Sequence, residues 1–431
     1  MGEIARKSVQ TFLTRLAVQA VGIAGSIVIA RMLGASGKGI FTYAVSVLAL
    51  IVVFNGQPYA ISWQFTKMKR SGAILMRTMA GVLGVASLAL TVALLAAGIF
   101  VPSQRPLLFV AIAVPFALFM QSATGFFLAD SDVKSINRQS IIAAVAPVLV
   151  YVPLLLFTHA GVTVLLATWA GGYVIGAVYT ARRLLPYMRQ TTGDDNGPLV
   201  GEQLRYGAQI GLANAVMFLN SRIDVFIIMA MLGQSALGVY SIGIAIGEML
   251  YQLTRPIVTA SFGRIARGDR AQASEATAAC MRHSVALTVT GAALIAALTP
   301  LLVPLVYGKA FAGAVLVTEL LLPGIVAYSM MGALATFFSQ QLGEPKVPLF
   351  LRLFSAIICA VVTVLALPRF GIAGGAIATS VSYLVTFALA SAYFCRQTGM
   401  SVQRLFLLSR QDLTPYRAAL SHALRFTRIG A

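Results

Sequence analysis

Charged and amide side chains recur at helical spacing inside otherwise apolar stretches of this chain. Ser8, Thr11, Arg15, Gln19, Gly22 and Ser26 follow steps of three or four, which puts them on one face of a helix. Ser241, Glu248, Gln252, Arg255 and Thr259 define a second polar face. In a third stretch Asn214, Ser221 and Arg222 cluster on one side, and Asn220 and Asp224 occupy another. A charge in hydrocarbon is costly, so such residues face a cavity or a partner. Arginine is suited to phosphate, because its planar fork binds phosphate oxygens two at a time. Arg15, Arg222 and Arg255, with Gln19, Asn214 and Gln252, therefore read as candidates for binding an anionic substrate. Asp224 and Glu248 read as candidates for carrying a coupling ion, a proton or Na+. Plainer readings stand beside these. Arg222 and Glu248 flank position 234 at similar depth and can neutralise each other as a structural ion pair. Arg15 and Arg255 can snorkel to the headgroups.

Other chemistry is sparse. Three cysteines (Cys280, Cys359, Cys395) and three histidines (His159, His283, His422) supply no disulfide framework and no zinc motif, so no metal or other cofactor is expected. Asp130-Ser131-Asp132 matches the D-x-D pattern of some sugar-nucleotide enzymes, but beside Lys134 and Arg138 it reads as a solvated turn. Asp194-Asp195 reads as a linker charge pair. Glu319 is a weaker proton-site candidate.

The elements that hold these residues are set by composition. Of 431 residues 58% are hydrophobic and 10% charged, against roughly 25% charged in a soluble domain. The chain is expected to be an all-α polytopic membrane protein. Twelve stretches are long and apolar enough to span a bilayer, which needs about 20 residues each: 9–30, 39–62, 79–101, 106–129, 139–158, 161–181, 206–232, 236–260, 283–307, 314–341, 347–367 and 371–394. They are too long and uniform for β-barrel strands. With twelve spans, 26 of the 32 lysines and arginines fall on the side of the two termini and five on the other. Basic residues are retained in the cytoplasm, so both termini are expected there. The +19 net charge is then explained by topology and anionic lipid, and no nucleic acid is expected.

The chain repeats. Met32-Leu33-Gly34-Ala35-Ser36-Gly37-Lys38-Gly39-Ile40-Phe41 matches Met231-Leu232-Gly233-Gln234-Ser235-Ala236-Leu237-Gly238-Val239-Tyr240 at an offset of 199. Phe126-Phe127 with Lys134 is echoed by Phe337-Phe338 with Lys346. Two parallel six-helix repeats are expected, an N-terminal lobe over 1–182 and a C-terminal lobe over 206–395, joined by a polar cytoplasmic linker over 183–205. The repeat makes spans one and seven, and two and eight, equivalent, and the four line a central cavity. Residues 396–431 form a basic tail suited to an anionic leaflet. Lys67 to Arg77 reads as a basic interfacial segment.

Three motifs carry a family resemblance. Ala30-Arg31-Met32-Leu33-Gly34 followed by Gly39 and Tyr43 looks like the end of the first helix in polysaccharide-export flippases. Lys134 and Lys346 fit their lysine-containing loops. Gly371-Ile372-Ala373-Gly374-Gly375-Ala376 with Ala378-Thr379 resembles the start of their last helix. The chain thus resembles the Wzx-like polysaccharide biosynthesis proteins of the MOP superfamily, which also holds MATE exporters and lipid II flippases. The resemblance implies export of an undecaprenyl-diphosphate-linked oligosaccharide to the outer leaflet of a bacterial cytoplasmic membrane by alternating access, for O-antigen, capsule or exopolysaccharide synthesis. It also implies company with a glycan polymerase and a chain-length regulator. Lipid II flippases typically carry two further helices, which are not seen here. A flippase, and not an enzyme, is the leading expectation. A MATE-like cation-coupled antiporter, a membrane glycan transferase or polymerase, and an assembly scaffold are the alternatives.

Overall fold

A computed structural model describes residues 3–158, 160–191, 193 and 200–407, with the side chains of 3–13, 15 and 16 excepted. Asp194, Asp195, His159, His422 and most of the basic tail lie outside the described residues. The described secondary structure is helical: α1 (Glu3–Phe54), α2 (Gln57–Thr66), α3 (Gly72–Phe100), α4 (Leu107–Ala129), α5 (Val133–Thr158), α6 (Val162–Met188), α7 (Val200–Gly247), α8 (Met249–Arg267), α9 (Arg270–Tyr307), α10 (Gly313–Thr336), α11 (Lys346–Phe370), α12 (Ile372–Thr398) and α13 (Val402–Phe406). A helix satisfies every backbone donor and acceptor within its own segment, which a bilayer demands.

Among the described residues, ten helical stretches are long and apolar enough to cross a membrane. The chain is a multi-pass membrane protein. Two of the ten, Ala17–Thr66 and Val200–Arg267, run 50 and 68 residues, far beyond the roughly 20 that one crossing needs. Each is broken at the glycine of the repeated motif. Gly34 has φ +65° and Gly233 φ +82°, a region that L side chains resist and glycine enters freely. The sequence limits 39–62 and 236–260 therefore each join the second arm of a kinked helix to a short following helix. The first of these carries a further break at Asn55-Gly56, the second one at Glu248.

The chain divides into two compact units, Met1–Ser241 with Pro304–Phe311, and Ile242–Val303 with Ala312–Ala431. In the first, α4 is the central helix. Phe126 and Phe127 at its end are fully buried and pack with Leu48, Leu75, Trp169 and Leu184. In the second, α10 is central, and Phe337, Phe338 and Phe394 pack with Met281 and Leu405. Each unit thus buries one of the two Phe-Phe pairs in its core. The most apolar stretch is 56% buried in α4 and 50% in α10, but only 11% in α3 and in α9. A helix apolar all round yet mostly uncovered faces lipid.

In the basic segment Lys67 to Arg77, Lys67, Lys69 and Arg77 are exposed and one basic residue is enclosed. Arg70 and Ser71 are buried, Ser71 caps α3 by accepting from the Ile74 amide, and Ala73 N–H bonds to the Gln190 carbonyl. The start of the tail is likewise docked on protein. Leu405 is fully buried and Phe406 meets Phe387 edge to face.

Candidate membrane-embedded site

The carboxylate of Asp224 is the most enclosed of the predicted site residues. It is 3% exposed in α7. Its Oδ2 accepts from the Tyr240 hydroxyl at 2.5 Å, and its Oδ1 from the Val225 amide at 2.8 Å. Tyr240 is fully buried. Asp224 precedes the Gly233 break and Tyr240 follows it, so this bond ties the two arms of the kinked helix. Asn220, one turn before Asp224, is also buried at 1%. Tyr240 was visible in the sequence only as the aromatic end of the repeated motif. Nothing in the spacing pairs it with Asp224, because the pairing depends on the non-helical Gly233.

The other predicted residues are more open. Gln19, Asn214 and Arg222 are half-buried, and one Arg222 guanidinium nitrogen donates to the Ser221 carbonyl at 3.4 Å. These three lie in the first unit. Arg15 lies in α1, and its side chain is outside the described residues. Glu248, Gln252 and Arg255 lie in the second unit. Glu248 is half-buried where α8 begins, while Gln252 and Arg255 are exposed.

The two repeated glycine turns meet within the first unit. A Cβ on Gly39 would overlap the Gln234 carbonyl, and a Cβ on Gly238 would overlap that of Ala35. Beside them the Ser36 hydroxyl bonds Gln234 Oε1 at 3.0 Å. At the same end, Arg31 donates to the carbonyls of Leu305 and Val306. It thereby caps the last turn of α9, where unpaired carbonyls concentrate negative charge.

Asp130 and Asp132 line a cleft of about 400 Å³ with Arg183, Pro186, Tyr187 and Gln190. Both oxygens of Asp132 and one of Asp130 are engaged. Asp132 accepts from the Ser135 amide at 3.1 Å and hydroxyl at 2.6 Å, capping α5, and pairs with Arg183 at 3.2 Å. Asp130 accepts from Tyr187 at 2.5 Å. Partial burial raises the Asp132 carboxyl, but the Ser135 bonds and the Arg183 charge outweigh it and hold it below its ordinary value. In the D-x-D pattern Asp132 thus acts as a helix cap and ion-pair partner, and Asp130 as the acceptor for Tyr187. Among the described residues no group of three His, Cys, Asp or Glu is placed to hold a metal.

Long, apolar, poorly covered helices, two of them kinked at repeated glycines, define a multi-pass membrane fold with a buried carboxylate in one kinked helix. The model of a family described as polysaccharide biosynthesis protein matches residues 28–316, and the chain belongs to that family. No curated protein sequence matches. Among solved structures, the chain is similar to the lipid II flippase MurJ in an inward closed conformation, with TM-score 0.76 and 11% identity over 92% of this chain and 89% of that one. It is also similar to an inward-facing multidrug resistance MATE family transporter of the MOP superfamily, with TM-score 0.71 and 14% identity over 90% and 98%. A MOP superfamily transporter from Pyrococcus furiosus gives 0.56 and 13% over 92% and 95%.

Proposed function

We propose that the chain is a flippase that moves a polyprenyl-diphosphate-linked oligosaccharide from the inner to the outer leaflet of the bacterial cytoplasmic membrane. The observation that carries this reading is the polysaccharide biosynthesis family match on a MOP transporter fold. The transferase reading is weakened, since Asp132 serves as a helix cap and an ion-pair partner and Asp130 accepts from the Tyr187 hydroxyl. In this reading the two long kinked stretches each cross the bilayer twice. Twelve spans then form two six-helix lobes, 1–182 and 206–395, and both ends of this chain lie in the cytoplasm, with the 183–205 linker and the 396–431 tail.

The diphosphate enters from the cytoplasm near Arg15 and Arg255 and engages Arg222 at depth, with Gln19, Asn214 and Gln252 as hydrogen-bonding neighbours. The polyprenyl chain stays in lipid and the sugars cross in water. Asp224 or Glu248 couples the return step to H+ or Na+. Anionic lipids hold the basic cytoplasmic face, and a polymerase and a chain-length regulator receive the product.

The test is the sidedness of the lipid-linked oligosaccharide in cells depleted of the protein. Surface glycan is labelled on spheroplasts and compared with the total after lysis. The reading expects the intermediate to accumulate and to stay inaccessible from outside. Full accessibility from outside would overturn it. Normal export in Arg15→Ala, Arg222→Ala and Arg255→Ala alike would overturn the arginine assignment.

A further inference from the structure

One seam of the first unit is built from side chains that its apolar surroundings do not explain. The face of α7 at positions 203, 207, 211 and 215 is buried, one residue per turn. Gly207 and Gly211 meet the main chain at the break between α1 and α2. A Cβ on Gly56 would overlap the Gly207 carbonyl, and one on Gly211 would overlap that of Phe54. On this face Gln203 is fully buried, yet neither Oε1 nor Nε2 meets a hydrogen-bond partner among the described residues. Gln57, 7% exposed and beside Gly207, leaves Oε1 without one. Glu202 Oε2 is buried in the same condition. Trp63 of α2 lies flat on Tyr206 of α7, with ring centroids 5.2 Å apart and planes 6° from parallel.

Leaving a buried amide unpaired costs about 1–3 kcal/mol, and buried polar groups in native proteins are overwhelmingly paired. A leucine at 203 or 57 would avoid that cost, so the amides call for a state in which they are used. The seam is made to part. Its closest contacts are glycine against main chain. Once apart, it offers amide donors and acceptors, a carboxylate acceptor and two flat aromatic faces on a few turns of helix. Amide and carboxylate groups satisfy hydroxyl groups, and aromatic rings cover the apolar C–H faces of pyranose rings while their polar tips bond at the rim.

We propose that Gln57, Trp63, Glu202, Gln203 and Tyr206 form a carbohydrate-binding surface, closed on itself in this conformation, that takes the sugar head of the substrate when α2 and α7 separate. The inference rests on the flippase reading for the source of the sugar. It places recognition of the glycan apart from the arginines assigned to the diphosphate.

The chain has two tryptophans, Trp63 and Trp169, so full-length Trp169→Phe protein reports from Trp63 alone. The probe is the free oligosaccharide released by mild acid from the host's lipid-linked glycan, which carries neither diphosphate nor lipid. A saturable change in Trp63 fluorescence is expected, at least tenfold weaker in Gln57→Leu/Gln203→Leu, with a melting temperature equal to or above that of the parent. No saturable change, or an identical titration in the double variant, overturns the proposal. If the double variant melts early, Gln203→Met, closer in volume, takes its place with the same two outcomes. In cells, depletion that blocks export while the Gln57→Leu/Gln203→Leu chain restores it fully sinks the sugar surface and leaves the flippase standing. Depletion that leaves export intact sinks the flippase reading itself.

Discussion

Gly39 and Gly238 stand against each other's helix, Gly39 on the Gln234 carbonyl and Gly238 on the Ala35 carbonyl. The relation is reciprocal because the two positions are equivalent in the repeat, 199 residues apart. A side chain at either site meets rigid main chain, so the helices must separate. Gly39→Ala or Gly238→Ala is expected to cost about 1–3 kcal/mol, the usual range for overpacking, and to lower the melting temperature. Gly22→Ala is the control. Its Cβ meets nothing within 4 Å, and replacing glycine in a helix ordinarily gains about 0.5–1 kcal/mol. Equal melting of Gly238→Ala and Gly22→Ala would refute the close approach.

The same contact can be locked. The Ser36 hydroxyl lies 3.0 Å from Gln234 Oε1. In a chain whose three cysteines, none in a disulfide, are replaced by serine or alanine, Ser36→Cys with Gln234→Cys is expected to be bridged by a short bis-methanethiosulfonate reagent. Export should then stop and return on reduction. A quantitative cross-link with undiminished export would mean that the two turns never separate during transport.

The sequence made the helical class, the apolar stretches and the repeat legible, because bilayer length and the M-L-G-x-S-x-x-G pattern are properties of the chain itself. The two Phe-Phe pairs, read in the sequence as a repeat signal, lie near the end of α4 and just after α10, each in a core cluster. What periodicity could not supply is anything that crosses a break in a helix. Asp224 and Tyr240 are 16 residues apart, and only the φ of Gly233 brings them together. Arg70 looked like one of several interfacial cations, and its burial depends on how the turn before α3 packs. Gln57 and Gln203 looked like ordinary polar residues near helix ends. Their burial without partners is a tertiary fact.

Asp132 gives a pH dependence whose sign is fixed. Its folded-state carboxyl is held below its ordinary value, so its contribution is fully present above the unfolded value of about 3.9. That contribution is lost as pH falls through the lower folded value. Arg183 is half exposed, so the ion pair adds well under about 1 kcal/mol. The α5 cap adds about 1 kcal/mol. Asp132→Ala should lower the melting temperature by a few degrees at pH 7 and by less at pH 3. An equal loss at both pH values would show that the charge plays no part.

Arg282 is 4% exposed and is held between Glu275 at 2.8 Å and the Arg404 carbonyl at 2.9 Å, while the Arg404 side chain reaches the other Glu275 oxygen at 3.1 Å. Glu275→Ala removes the carboxylate shared by both arginines and leaves Arg282 with less to offset its burial. Full loss of a partner in a buried pair costs about 3–5 kcal/mol. Because Glu275 is 43% exposed, about 2 kcal/mol is the expected order. The segment around α13 should also be cleaved faster by protease, since Glu275 is one of its polar anchors. Unchanged proteolysis together with an unchanged melting temperature would show that the cluster does not hold the tail.

Asp224 separates a coupling site from a structural staple by one substitution. Asparagine keeps the volume of the side chain and an oxygen that can accept from Tyr240, but it carries no charge and binds no proton. If Asp224 only ties the two arms of α7, Asp224→Asn should export normally, and Tyr240→Phe should destabilise by about 1.5–3 kcal/mol, the usual worth of a hydrogen bond to a charged group. If Asp224 carries the coupling ion, Asp224→Asn should lose gradient-driven transport by at least tenfold in proteoliposomes. Exchange without a gradient should persist, and the melting temperature should stay near that of the parent. Undiminished gradient-driven transport by Asp224→Asn would sink the coupling role. Asp224 and Tyr240 sit on opposite arms of the kink, so a change in the charge of the carboxylate would alter the bond that ties them.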